Sequence, residues 1–205
     1  MPDAGLIGHR VYDPVLRGLH AANALLVSLL AASGLVAQAL EPGALTAWLH
    51  AQHGVIGAAL VVGLAGRGMW GLVGPPHARW HDLWHPAAWR ALVRGRRLFT
   101  PPSRRGHHPA ASLVYLGVYA LLLALAASGL LLLATTAGHG PLAAAFGWDA
   151  ALTARWLDPH RYAGWAVALF IGGHLAAMLL HARVHRIPVA QGMLTGVQYL
   201  DMESK

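Results

Sequence analysis

Four stretches of this 205-residue chain contain no Asp, Glu, Lys or Arg: residues 18–40, 48–66, 111–135 and 162–182. A helix needs about 20 residues to cross a hydrocarbon core ~30 Å thick, and each stretch supplies them. In lipid the backbone must satisfy its own hydrogen bonds, so these stretches are read as helices despite the chain's 24 glycines. A soluble core accounts for one such run, not four in so short a chain. The sequence therefore predicts an all-α integral membrane four-helix bundle, a single domain over residues 1–205. Only 11% of residues are charged, against about a quarter in soluble domains. That deficit argues against a water-soluble enzyme, a disordered chain or a nucleic-acid-binding module. The absence of cysteine removes disulfides, thiolate metal sites, iron–sulfur ligation, covalent c-type haem attachment and cysteine nucleophiles. Asp3, Arg10, Asp13 and Arg17 interrupt the first seventeen residues, which lack the pattern of a cleavable signal.

The basic residues are unevenly placed. Arg10 and Arg17 precede the first stretch, and Glu41 stands without a basic residue between the first and second. Arg67, Arg79, Arg90, Arg94, Arg96, Arg97, Arg104 and Arg105 lie between the second and third. Only Arg155 and Arg161 separate the third from the fourth, and Arg183, Arg186 and Lys205 follow it. Thirteen of the 15 basic residues thus fall on one side. The positive-inside rule puts that side, with both termini, in the cytoplasm. The basic loop is expected on anionic lipid rather than on nucleic acid. Trp48, Trp70, Trp156 and Trp165 mark the edges of spans, as in an aromatic belt. The first and third spans share an echo, Leu-Leu-Ala-Ala-Ser-Gly-Leu at 29–35 and Leu-Ala-Leu-Ala-Ala-Ser-Gly-Leu at 123–130. It reads either as recurrent membrane-helix composition or as duplication.

Ionisable residues inside a span are costly and mark function. Here they are histidines: His20, His50, His53, His174 and His181, with His160 at the mouth of the fourth span. His160 and His174 are 14 residues apart. At 100° per residue they share a helix face, about 21 Å apart along the axis. One metal site needs ligands that converge within a few ångströms, so this spacing points to two stacked cofactors. Depth selects the partners, pairing His53 with His160 and His20 with His174. Each pair can clamp one haem iron from two sides, which favours electron transfer over chemistry at the metal. His50 is the rival of His53. His181 is a poorer partner than His174, because it would stretch the two sites across the whole core. Gly54, Gly57, Gly172 and Gly173 allow either a close porphyrin or ordinary helix packing. Arg17, three residues before His20, and Arg67, 14 residues after His53, are candidates to pair haem propionates.

These residues resemble a known family. The opening Asp13-Pro14-Val15-Leu16-Arg17-Gly18-Leu19-His20, the run Arg67-Gly68-Met69-Trp70-Gly71-Leu72-Val73-Gly74, the segment Gly106-His107-His108-Pro109 and the His160/His174 spacing carry the likeness. The chain resembles the bacterial cytochrome b561 and nickel-iron hydrogenase cytochrome b-subunit family, and through it the membrane subunit of formate dehydrogenases. The resemblance implies four helices holding two b-type haems, which pass electrons between a periplasmic redox partner and the quinone pool. It also implies a quinone site near the cytoplasmic-side haem, around His174, with Gly106, His107 and His108 as lining. His108 stands where the family commonly has asparagine. The partner expected is a hydrogenase-like subunit, a molybdenum enzyme or a c-type cytochrome. The short outer loops leave open a stand-alone enzyme that oxidises a small periplasmic reductant, such as superoxide, and reduces quinone. A metal-ion transporter fits less well, since transport sites gather ligands at the midplane.

Overall fold

The computed structural model describes residues 6–95, 109–184 and 190–201. The chain is an all-α integral membrane bundle of four long helices, with short elements at their ends. A strand β1 (Leu6–Arg10) leads into α1 (Pro14–Ala39), followed by α2 (Ala44–Val73). Two 3₁₀ turns (Pro76–Ala78 and Trp80–Leu83) and α3 (Pro86–Gly95) come before α4 (Pro109–Ala137). The one-turn α5 (Ala143–Phe146) precedes α6 (Ala150–Val184), and α7 (Gln191–Thr195) leads into β2 (Val197–Asp201).

Local chemistry sets the helix ends. Asp13 caps α1: its Oδ1 accepts from the amides of Val15 and Leu16 at 2.9 and 3.0 Å, with Pro14 at the first helical position. Asp149 caps α6 in the same way, through the Leu152 amide at 2.9 Å. Gly196, at φ +84°, closes α7 in the left-handed conformation that favours glycine. Mid-helix residues such as Leu25, Val62, Leu169 and Leu179 are all more than 60% exposed, the pattern of helices whose outer solvent is lipid.

The helices overrun the uncharged stretches. The second begins at Ala44 rather than 48 and ends at Val73 rather than 66, so Arg67 and Trp70 are helical rather than in a loop. The fourth begins at Ala150 rather than 162, so His160 lies inside the helix and not at its mouth. Charge marks where lipid ends, not where the hydrogen-bonded ladder ends. A capped helix continues through the interface, where arginine stems lie along apolar surface.

By their internal contacts the residues form two units. One comprises Met1–Ala21, Gly66–Val118 and Gly173–Lys205. In it β1 and β2 pair antiparallel, Leu6 opposite Asp201 and Arg10 opposite Val197. The segment before α1 and the segment after α7 therefore lie side by side. Trp70 Nε1 donates to the Asp13 carboxylate at 3.2 Å, joining α2 to the start of α1. Trp89 on α3 donates to the buried Ser112 of α4, also at 3.2 Å. The other unit comprises Ala22–Ala65 and Tyr119–Gly172. There Asn23 Nδ2 donates to the Gly63 carbonyl at 3.2 Å, joining α1 to α2. Gly54 on α2 faces Leu133 of α4, where an added Cβ would sit 3.3 Å from the leucine.

Candidate haem-binding histidines

In the second unit, α2 carries His53 and α6 carries His160. Their ring centroids are 6.2 Å apart and the planes are inclined at 77°. Both rings are half-buried. On α1, Ser33 Oγ lies 2.9 Å from His53 Nδ1. On α4, Ser128 Oγ lies 2.8 Å from His160 Nδ1. The following glycines complete the pattern: a Cβ at Gly34 or at Gly129 would lie 3.3 Å from Cε1 of the same ring. These are the Ser-Gly pairs of the echo at 29–35 and 123–130.

This arrangement fits a haem iron. A metal–imidazole bond is about 2 Å and a ring nitrogen lies about 1 Å from its ring centre, so two imidazoles sharing one metal have centroids about 6 Å apart. The observed separation matches. Each Nδ1 is occupied by a serine, which leaves Nε2 for the metal. Among the described residues no group of three or more His, Cys, Asp or Glu converges on a common point. Two imidazoles from different helices are a donor set that could hold a haem iron. His50, the rival of His53, is exposed.

The first unit holds the other expected pair. His20 on α1 is exposed and His174 on α6 is half-buried, and both belong to this unit. Arg67, on α2 in the same unit, is 4% exposed, and its guanidinium lies 4.5 Å above the Trp80 ring. Trp80 is seated against the helix by its Nε1, which donates to the Gly68 carbonyl at 3.2 Å. Gly71 makes that seat possible, because any Cβ there would collide with the indole. Arg17 reaches α7: Nε donates to the Met193 carbonyl at 3.1 Å and Nη2 to that of Leu194. It serves the last turn of α7, where cationic side chains satisfy orphan carbonyls. A Cβ at Gly172 or Gly173 would meet open space, whereas Gly54 and Gly57 pack on Leu133 and Leu30. His181 is half-buried on α6.

A family model described as prokaryotic cytochrome b561 matches residues 11–196. The chain belongs to that family. It is a multi-pass membrane cytochrome of electron transfer, and b-type haem is the cofactor the family carries. Two curated relatives are similar to it. A probable Ni/Fe-hydrogenase B-type cytochrome subunit of Azotobacter vinelandii is 25% identical over 211 residues, covering 91% of this chain and 86% of the relative. A second protein of that description, from Azotobacter chroococcum mcd 1, is 26% identical over 190 residues, covering 80% and 78%. No solved structure gives a significant match.

Sequence reasoning on this b561 cytochrome missed Ser33, Ser128 and Trp80. The first two were visible only as an echo of small residues, and nothing in an indole 13 residues from Arg67 signals a contact with it. It also missed a polar group in the first unit. Tyr12 is half-buried beside Tyr115 of α4 and the buried Asp82, whose carboxylate lies 3.7 Å from His77 Nδ1. Burial pushes the Tyr12 hydroxyl well above the ordinary phenol range, and the neighbouring Tyr115 and Asp82 add to the shift. Gly106, His107 and His108 lie outside the described residues.

Proposed function

We propose that this b561 cytochrome holds two b-type haems, one between His53 and His160 and one between His20 and His174. It carries electrons between a periplasmic redox partner and the quinone pool of the bacterial inner membrane, with both termini cytoplasmic. The observation that carries the proposal is the His53–His160 pair, two imidazoles on different helices at the separation a shared iron requires. A haem held by two imidazoles would supply single-electron exchange and leave no open position for a substrate at the metal. The chain's own contribution is to hold the ligands and to tune charge. The buried cation of Arg67, braced by Trp80, supplies a counter-charge for a haem propionate. The names of the Azotobacter relatives favour a hydrogenase-like partner over a molybdenum enzyme or a c-type cytochrome. Quinone is assigned to the His174 side, with Gly106, His107 and His108 as lining. Pyridine haemochrome analysis of the purified protein is expected to give about two b haems per chain. A value of zero would reject the reading, and a value of one would leave a single pair.

A second reading is favoured by the brevity of the link between α1 and α2, only residues 40–43. A chain with so little outside the membrane on that link has little surface for a large partner. In this reading the cytochrome oxidises a small reductant such as superoxide by itself and passes the electrons to quinone. Haem reduction by superoxide in the isolated protein separates the two readings.

A further inference from the structure

We infer that Ser33 and Ser128 are positioning residues that lock His53 and His160 in the tautomer protonated on Nδ1, so that both present a bare Nε2 to one haem iron. The inference rests on the assignment of these histidines as ligands.

Proton bookkeeping carries the argument. A serine hydroxyl has one hydrogen to donate and two lone pairs to offer. Ser128 Oγ lies 2.8 Å from the Ala124 carbonyl and 3.2 Å from that of Leu125. Ser33 Oγ lies 3.2 Å from the Leu30 carbonyl. A helical carbonyl can only accept, so each hydroxyl hydrogen has an acceptor on the serine's own helix. What each Oγ has left for the histidine is a lone pair. With Nε2 given to the iron, the ring nitrogen 2.9 or 2.8 Å away carries the imidazole's proton and donates it to that lone pair. A neutral imidazole protonated on Nδ1 has its free pair on Nε2, which is where a metal binds. In the reverse tautomer the hydroxyl would have to leave its helix carbonyl and donate to Nδ1, and the proton on Nε2 would close that nitrogen to a metal.

The glycine after each serine makes the contact possible. Each ring lies so close that even a Cβ would press on Cε1 at 3.3 Å. Ser-Gly is thus one device: the hydroxyl takes one edge of the ring and the missing side chain admits it. The device occurs twice, on α1 for the α2 histidine and on α4 for the α6 histidine. Each copy sits in the shared string Leu-Ala-Ala-Ser-Gly-Leu, at 30–35 and 125–130. Chance enrichment in small residues explains a stripe. It does not explain two serines that both meet Nδ1 of a histidine and two glycines that both face Cε1.

An acceptor on Nδ1–H makes an imidazole a better electron donor and favours the oxidised iron. Ser33→Ala and Ser128→Ala each remove one acceptor, and both act on the same haem. Each is expected to shift that haem's reduced-to-oxidised equilibrium about threefold towards reduced, the scale of one modest hydrogen bond. That is roughly +30 mV at 59 mV per tenfold for one electron. The double variant is expected to shift it about ninefold. The haem lost in His20→Ala is expected to keep its potential. Spectroelectrochemical titration of the haem-loaded protein reads both haems at once. Ser33→Thr and Ser128→Thr keep the hydroxyl and are expected to hold the original value. If the alanine variants lose the haem while the threonine variants keep it, the hydroxyl is required and the inference stands. It is overturned if the alanine variants keep both haems at unchanged potentials. It is also overturned if they move the other haem instead, or if alanine and threonine variants lose the haem alike. His53→Ala tests the underlying assignment separately: if it removes no haem, the ligand assignment fails, whatever the serines do.

Discussion

His53 on α2 and His160 on α6 face each other with centroids 6.2 Å apart and planes at 77°, each gripped at Nδ1 by a serine from a further helix. Four helices therefore converge on one pair of rings. Imidazoles held in this way would need little reorganisation if a metal bound between them changed charge.

The first prediction concerns the ligands. His53→Ala or His160→Ala is expected to remove one b haem and leave the other. His20→Ala or His174→Ala is expected to remove the second and leave the first. Haem content per chain and the reduced-minus-oxidised spectrum measure both. Loss of both haems from every single substitution would contradict two independent pairs.

Arg67 yields a prediction about potential. Its cation is buried, and a buried cation near a haem favours the reduced, less positive iron. Arg67→Ala is expected to lower one midpoint potential by on the order of 60 mV, a tenfold change for one electron. Arg67→Lys, which keeps the charge but not the flat guanidinium over Trp80, is expected to fall between. Unchanged potentials in a redox titration would reject the propionate role.

Asp13 holds two things at once, the first turn of α1 and the Trp70 indole. Asp13→Ala is expected to cost about 1 kcal/mol of stability for the cap alone. Asp13→Asn keeps an acceptor oxygen for the amides and is expected to cost less. Thermal unfolding followed in detergent compares them. Equal stability of Asp13→Ala and the native chain would show that the cap is dispensable.

Tyr12 sets an alkaline limit. Its pKa is raised in the folded chain, so the folded state holds that proton more tightly than the unfolded state does. The stabilising contribution is complete below the ordinary phenol value of about 10 and declines as pH rises above it. Tyr12→Phe is expected to flatten that decline. Melting temperature measured against pH in both proteins checks it, and identical slopes above pH 10 would refute it.

The four crossings were legible because charge in lipid is costly enough to be written into composition. The pairing of His160 and His174 on one helix face was legible because helical periodicity is rigid. Helix limits were less so: Arg67 and Arg161 stand within helices although their charge suggested loops. Arg67 tolerates its place because Trp80 folds back over it, a contact that no periodicity announces. The ribbon of β1 and β2 was missed for a similar reason, since its strands lie at opposite ends of the chain. Two donors of Arg17 hold carbonyls of α7, a contact that its place three residues before His20 does not announce.

Composition and spacing by themselves determined that this is a four-helix membrane protein with histidines at repeated positions, because both are local consequences of burying backbone and charge in lipid. Only the folded chain decided that His53 rather than His50 meets His160, and that the serines of a seemingly bland echo reach those rings. Which side chains meet depends on how neighbouring helices are rotated and packed. That is settled by contacts such as Gly34 and Gly129 against imidazole, not by the pattern along any single helix.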